Sequence, residues 1–465
     1  MKSGGLLGCL VVSFCLTTGQ GWAGGASSPE IGRVSVIVGS VQYHSPTAEW
    51  SDALVNEPVA AGTGLRAVSD AEAELRLPGA AIALAPSSEL NILRLDRDVL
   101  EVAVLQGRVG IHLERSDGAK TVEIDLPQGG VWLKSPGDYD IVAADSQNPA
   151  RIEVIAGMAE LGGGLDESHL VAAAPDLFSE WWRSQDDDRA TANIPKMPSD
   201  IVGAAALDAA GRWETDVRYG AVWYPSGVAD DWVPYRDGAW RFLPPWGWTW
   251  IDNAAWGFAP SHYGRWARIG ERWAWAPGPR TDDLGYSYSP AMVAFLGTAG
   301  IGLSRPGDNG PAVAWFPLAP GETIGDGDDA NYQNRRFATP VPRAVFASGR
   351  PVASALLDDL PEQRLADAPV ILQSLDIPPV KPGMMAAVSK RLTTIVVAMK
   401  KRILTPLASL QRPLVVHLRG APAHDTRKRF AIAAATPMRP RVLSSTNAPH
   451  STHNRQHLAA VRGGA

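Results

Sequence analysis

Cysteine is nearly absent. The chain of 465 residues has two, Cys9 and Cys15, and both fall in a stretch that reads as a secretory signal peptide, residues 1–23. Lys2 supplies the positive charge, Leu6 to Leu16 an unbroken run free of charge, and Gly21-Trp22-Ala23 a small-x-small cleavage site. The predicted mature chain therefore has no thiol, which excludes disulfides, thiol catalysis and Cys-ligated zinc. Long apolar runs are missing too. No later window reaches the roughly 18 apolar residues of a spanning helix, and the best, Ala291 to Leu303, is broken by Gly297, Gly300 and Gly302. The expectation is an exported protein of the periplasm or cell surface with no transmembrane span.

Catalytic signatures are also lacking. There is no His-Glu-x-x-His, no Gly-x-Ser-x-Gly and no phosphate loop. Asp326, Asp328, Asp329 and Asn331 lack the rest of a calcium loop. Asp237, Asp252 and Glu271 could supply carboxylates for glycosidic cleavage, yet no spacing selects a pair. Five of the nine His (His417, His424, His450, His453 and His457) lie near the C-terminal end, irregularly spaced. No catalytic residue, metal ligand or cofactor is assigned. Acidic residues are scarce in one place: from Lys381 onward there are 15 Lys/Arg and one acid, Asp425. The net charge of −6 thus divides into +14 for this segment and −20 for the chain before Lys381. Nucleic acid is excluded as a partner by the predicted export.

What is present is strand periodicity. Ala73-x-Leu75-x-Leu77, Ile82-x-Leu84, Leu100-x-Val102-x-Val104, Val109-x-Ile111-x-Leu113, Val122-x-Ile124-x-Leu126 and Ile152-x-Val154 alternate with period two. Each run has one buried and one solvated face. Turn formers recur about every 8–12 residues, among them Pro78-Gly79, Asp117-Gly118 and Gly129-Gly130. The prediction for residues 31–163 is an antiparallel β-sandwich or a short β-solenoid. DLFSEWWRSQDDD, Asp176 to Asp188, predicts a short helix closing this block, inside a helix-and-linker stretch over 164–212.

The ordered segments IGRVSVIVGSVQY, NEPVAAGTGLRA, AEAELRLPGAAIALAPSSELNILRLD, VLQGRVGIHL, EIDLPQGGVWLKSPGDYDI and VIAGMAEL, from Ile31 to Leu161, resemble the FecR-type periplasmic domain. The resemblance implies that domain's fold. It further implies sensing of an occupied outer-membrane receptor, with the signal passed to a sigma factor through a cytoplasmic N-terminal segment. Here the predicted signal peptide stands in that segment's place. Signalling would then need a separate membrane partner.

Tryptophan is the excess: 17, against 9 Phe and 9 Tyr. Eleven of them lie between Trp213 and Trp275 inclusive. Trp240/Phe242, Trp246/Trp248/Trp250, Trp256/Phe258 and Trp273/Trp275 are spaced two apart, separated by Pro244-Pro245, Asp252-Asn253, Pro260-Ser261 and Gly270-Glu271. This predicts a β-meander with one aromatic face in a module spanning 213–352. The segments VWYPSGVADDWVPYRDGAW, PWGWTWIDNAAWGFAPSHYGRW, ERWAWAPGP and AWFPLAPGE resemble a Trp-rich region of unknown function, common after FecR-type domains in exported proteobacterial proteins. These rings can be core, or a surface that stacks on a glycan or a partner protein. The candidate binding residues are Trp240, Trp246, Trp248, Trp250, Trp273 and Trp275.

A Pro-rich linker is predicted at 353–382 and a basic, mostly disordered tail at 383–465. Within the tail Met385, Val388, Leu392, Ile395, Val396, Met399 and Ile403 share one helical stripe. Lys390, Arg391, Lys400, Lys401 and Arg402 lie opposite or beside it, a basic amphipathic helix suited to an anionic membrane or polymer. The sequence thus reads as a mostly β, non-enzymatic binding or scaffold protein of the cell envelope, with an envelope protein or glycan as partner. A sensor acting through a transmembrane regulator is the second reading and a glycan-active enzyme the third.

Overall fold

The structure is a computed structural model and describes residues 30–114, 120–172, 174–190, 201–279, 286–297, 303, 310–324, 331–372 and 375–379. The predicted signal peptide, the acidic run at 325–330, and the predicted tail with its Lys390, Arg391, Lys400, Lys401 and Arg402 lie outside the described residues. The protein is mostly β, in several antiparallel sheets.

Fifteen strands build the first block. They are β1 (Gly32–Val38), β2 (Val41–His44), β3 (Ser51–Asp52), β4 (Pro58–Val59), β5 (Gly64–Ala67), β6 (Glu72–Leu77), β7 (Ala80–Leu84) and β8 (Glu89–Leu95). There follow β9 (Val99–Gln106), β10 (Arg108–Leu113), β11 (Thr121–Leu126), β12 (Gly129–Leu133), β13 (Gly137–Val142), β14 (Arg151–Val154) and β15 (Ala159–Gly163). They form a seven-stranded sheet, order β14-β13-β10-β7-β6-β1-β4, and an eight-stranded sheet, order β15-β12-β11-β9-β8-β5-β2-β3. One core lies between them, so the sandwich alternative is the one adopted. The period-two residues supply it: Leu75, Ile82, Leu100, Val102, Val109, Ile111, Val122 and Ile124 are all buried. β9 and β11 pair in parallel, the one exception to antiparallel pairing in these two sheets.

Helix α1 (Leu177–Ala190) covers the outer face of the seven-stranded sheet. Trp182 packs there over Gly110, where a Cβ would stand 2.6 Å from the indole. Only glycine at that position leaves room for the ring.

The second block comprises α2 (Ala206–Ala210), β16 (Gly211–Asp216), β17 (Gly220–Pro225), β18 (Gly238–Leu243), β19 (Gly247–Asp252), α3 (Phe258–His262), β20 (Arg265–Ile269) and β21 (Arg272–Ala276). β22 (Val293–Leu296), β23 (Ala312–Pro317), β24 (Thr339–Pro342), α4 (Arg343–Ala347) and α5 (Glu362–Asp367) complete it. The strands fall into three sheets: β16-β17-β21-β20, the hairpin β18-β19, and β22-β23-β24. The predicted strands are present, but they do not run as one consecutive meander. β17 skips the hairpin to pair with β21 through Trp223 and Trp275.

The hairpin is set apart because both its faces are apolar. Trp240, Trp248 and Trp250 point into the aromatic core. On the opposite face Leu243 and Ile251 join the core of the sandwich. Alternation along β18 and β19 thus ties two hydrophobic cores together.

Candidate functional site

Burial decides the role of the aromatic candidates. Trp240, Trp248, Trp250, Trp273 and Trp275 all lie within the second core. Their contacts are those of a packed interior: Trp240 meets Trp315 edge-on at 5.3 Å and Trp248 lies 4.3 Å from Phe346. Several indole N–H groups are satisfied inside: Trp248 donates to the Ile377 carbonyl (2.9 Å), Trp250 to Asp252 Oδ2 (3.0 Å) and Trp275 to the Tyr263 carbonyl (2.7 Å). Enclosed in this way, the five rings offer no face to a glycan or a partner. β22, β23, β24 and α4 add the extra cover that a single meander would lack, through Trp315, Val341 and Phe346.

Trp246 differs. Its amide bonds back to the Leu243 carbonyl (2.9 Å), which puts it in the connection between β18 and β19. Extending the period of two from Trp248 back through this turn therefore assigns it the wrong face. The half-buried ring packs against the sandwich core and Tyr288, 5.6 Å away.

Between the two blocks runs a buried polar seam. Asn56, fully buried with φ +68°, donates its carboxamide to the carbonyls of Asp252 (2.9 Å) and Ala254 (2.7 Å). It accepts from Arg33 (2.6 Å), which also reaches the Ala255 carbonyl (3.0 Å). Arg241 donates to Ser51 Oγ (3.2 Å) and the Asp52 carbonyl (2.8 Å). Two carboxyls are enclosed here. Burial pushes Glu57 up to about 7, with one oxygen accepting from the Leu54 amide and the other unpartnered. Burial likewise pushes Asp252 up to about 6, against the hydrogen bonds it accepts from Trp250 and the Ala254 amide. Burial lowers the Arg33 guanidinium to about 10. His262, fully buried against Tyr288, is lowered by burial to about 4 while Nδ1 contacts the Ser289 carbonyl at 2.9 Å. These groups sit where they hold the fold together.

The outer face of the eight-stranded sheet is different in kind. With Val122, Ile124 and Leu126 turned inward, Glu123 and Asp125 must face out. Register then aligns one row across five strands: Arg94, Glu101, Glu123, Trp132 and Glu160. The neighbouring row runs His44, Gly64, Asn91, Ala103, Asp125, Gly130 and Gly162. Trp132 leans from the first row over the second, because a Cβ on Gly130 or Gly162 would stand 2.9 or 2.7 Å from its ring. The two glycines make a floor for a half-buried indole.

Carboxylates crowd beside it. Asp125 is pushed up to about 7, by burial first and then by Glu123 and Glu101. Glu101 is raised by burial and by Glu123. Glu89 on β8 is 1 % exposed, and neither of its oxygens takes part in a hydrogen bond; Arg66 Nη1 stands 3.9 Å from one of them. Among the described residues, the hydrophobic clusters place no helix on this face. Sequence reasoning passed over these residues because it followed apolar alternation. The signal was there in the polar half of the same pattern, Glu123 and Asp125, and in Gly130 two residues before Trp132.

Residues 204–322 match the model of a family of unknown function, DUF6600, a span that overlaps the Trp-rich block. No FecR-domain family model matches the chain. No curated protein matches it either. Two solved structures of a candidate anti-sigma factor from Parabacteroides distasonis are similar to part of it, at 15 % and 14 % identity and a TM-score of 0.20. Each match covers 22 % of this chain and 48 % of the other, so about half the length of that protein is spanned. Among the described residues no helix is long and apolar enough to cross a membrane, and no group of three or more potential ligands is placed to hold a metal.

Proposed function

We propose that the protein is a non-enzymatic binding protein of the cell envelope whose recognition surface is the outer face of the eight-stranded sheet. The observation that carries this reading is Trp132, laid on Gly130 and Gly162, with Glu123 and Glu160 as its register partners on either side and Asp125 opposite Gly130. A flat indole among carboxylates attracts a cationic side chain from both its ring face and its rim. The acidic face favours a polypeptide with basic residues over a neutral glycan. In this reading the FecR-like block recognises, and the Trp-rich block supports it through the shared hairpin. Export, read from residues 1–23, is part of the proposal.

Retention of the purified protein on the envelope fraction of its own cells tests it. Trp132→Ala should lower retention at least severalfold with the melting temperature little changed. Undiminished retention of Trp132→Ala would remove the face from consideration, and loss on digesting envelope glycan but not protein would move the partner to the glycan class.

A further inference from the structure

We propose that the open edge of β16 pairs with β16 of a second copy of this chain, antiparallel and centred on Trp213. The surface belongs to the second block, and the inference does not rest on the recognition face of the first.

A sheet edge leaves backbone N–H and C=O groups without a strand to bond, and proteins cover or blunt such edges. In the second block the other edges are covered. On β20 the Trp266 amide donates to the Leu318 carbonyl (3.2 Å), and its carbonyl accepts from Asn334 (2.8 Å). Along β22 the Gly297 amide donates to the Pro369 carbonyl and the Ile371 amide to the Phe295 carbonyl (both 2.8 Å). Pro340 of β24 accepts from the Leu357 amide (3.0 Å), and Gly238 of β18 accepts from the Val352 amide (2.9 Å). Trp250 of β19 donates to the Pro290 carbonyl (3.1 Å).

β16 lacks this cover. The Ser226 amide donates to the Ala210 carbonyl (2.8 Å), which fixes the alternation along the β16–β17 ladder. Arg212, Glu214 and Asp216 therefore turn their backbone groups to β17, while Trp213 and Thr215 turn theirs to the open side. Among the described residues no hydrogen bond reaches those open groups. Trp213 also ends a row of rings that register builds across the sheet, Trp266, Trp275, Trp223 and Trp213. Its own ring is half-buried.

The strand's own sequence names the occupant. Two antiparallel copies related by a two-fold axis present the same patch to each other. Centred on Trp213, the pairing sets Trp213 against Trp213 and Gly211 against Thr215, so the open backbone groups bond each other. On the outer face Arg212 of each copy then stands opposite Glu214 of the other, an opposite-charge pair formed twice. Within one chain Glu214 already meets Arg212 (2.7 Å) and Arg272 (3.3 Å), and pairing extends that array across the axis. Other registers are worse. A shift of one residue sets Trp213 against Glu214, whose backbone groups are used by β17. Centring on Thr215 opposes Glu214 to Asp216, and centring on Gly211 opposes Arg212 to Ala210. Val217, beyond the last pair, stays outside the interface.

Sedimentation velocity of the full chain reads the pairing as mass, over a dilution series reaching on the order of 100 µM, the weak end of interface affinities. The chain should reach twice its own mass. Arg212→Glu alone and Glu214→Arg alone each set like charges opposite one another, and each should weaken the dimer severalfold or more. Mixed in equal amounts, the two variants restore opposite charges at every pair, and a one-to-one heterodimer should form. A single-chain mass throughout, a dimer that ignores both variants, or variants that stay apart when mixed would each overturn the proposal. Should a variant fail to fold, hydrogen exchange on the unaltered chain decides. The Trp213 and Thr215 amides should exchange severalfold more slowly at high than at low concentration, and rates independent of concentration would overturn the pairing. Envelope retention through Trp132 is read separately, so either proposal can fail without the other.

Discussion

Trp248 shows what separates a core tryptophan from a binding platform. Its ring meets Phe346 and Phe242, and its N–H is used by Ile377 inside the protein. Trp248→Ala should cost about 3–5 kcal/mol, the range for emptying a large buried aromatic site; urea denaturation with an unchanged midpoint would contradict this placement. Glu57 makes a second residue-scale claim. Its folded value of about 7 lies above the ordinary 4.5 because burial opposes its charge. The unfolded chain therefore gives up this proton first as pH rises. Glu57 supports the fold fully below about pH 4.5, and that support is lost as pH climbs through about 7, an effect of up to about 3 kcal/mol. Glu57→Gln keeps an acceptor for the Leu54 amide and removes the titration. It should melt higher than the parent at pH 8 and no higher at pH 4. Parallel melting curves across that range would refute the claim.

At the scale of elements, β18–β19 is the piece on which the two blocks depend. Its alternation sends Trp240, Trp248 and Trp250 one way and Leu243 and Ile251 the other. Ile251→Ala should destabilise by about 2–5 kcal/mol and shift both blocks together. Hydrogen exchange of β20 and β21 reports the second block, and that of β7 and β10 reports the first. Two transitions, of which only one moves, would mean that the blocks fold independently. Much of the sandwich was legible beforehand, since Leu75, Ile82, Val102 and Val109 lie on the faces their alternation assigns. Helix α1 was legible from DLFSEWWRSQDDD. The parallel pairing of β9 with β11 was not, because no local pattern encodes which non-adjacent strands meet. Trp246 was misplaced because a strand period carries no information through a turn. The row Arg94, Glu101, Glu123, Trp132 and Glu160 was not legible for a related reason: it is assembled by register across five strands, and only its local traces, Glu123 with Asp125 and Gly130 with Trp132, stand in the sequence.

For the whole molecule the account makes one strong demand. The second core and the seam around Asn56 serve the fold, and the proposal gives recognition to the outer face of the eight-stranded sheet. A photo-reactive phenylalanine analogue placed at Glu160, whose side chain is 63 % exposed, reports contact at that face in living cells. The same group at Val217, fully exposed at the β16–β17 turn of the second block, is the control. The account predicts discrete higher-mass adducts in the envelope fraction from position 160, absent from position 217 and abolished by adding Trp132→Ala. Adducts from position 217 alone, or equal adducts from both that ignore Trp132→Ala, would contradict it.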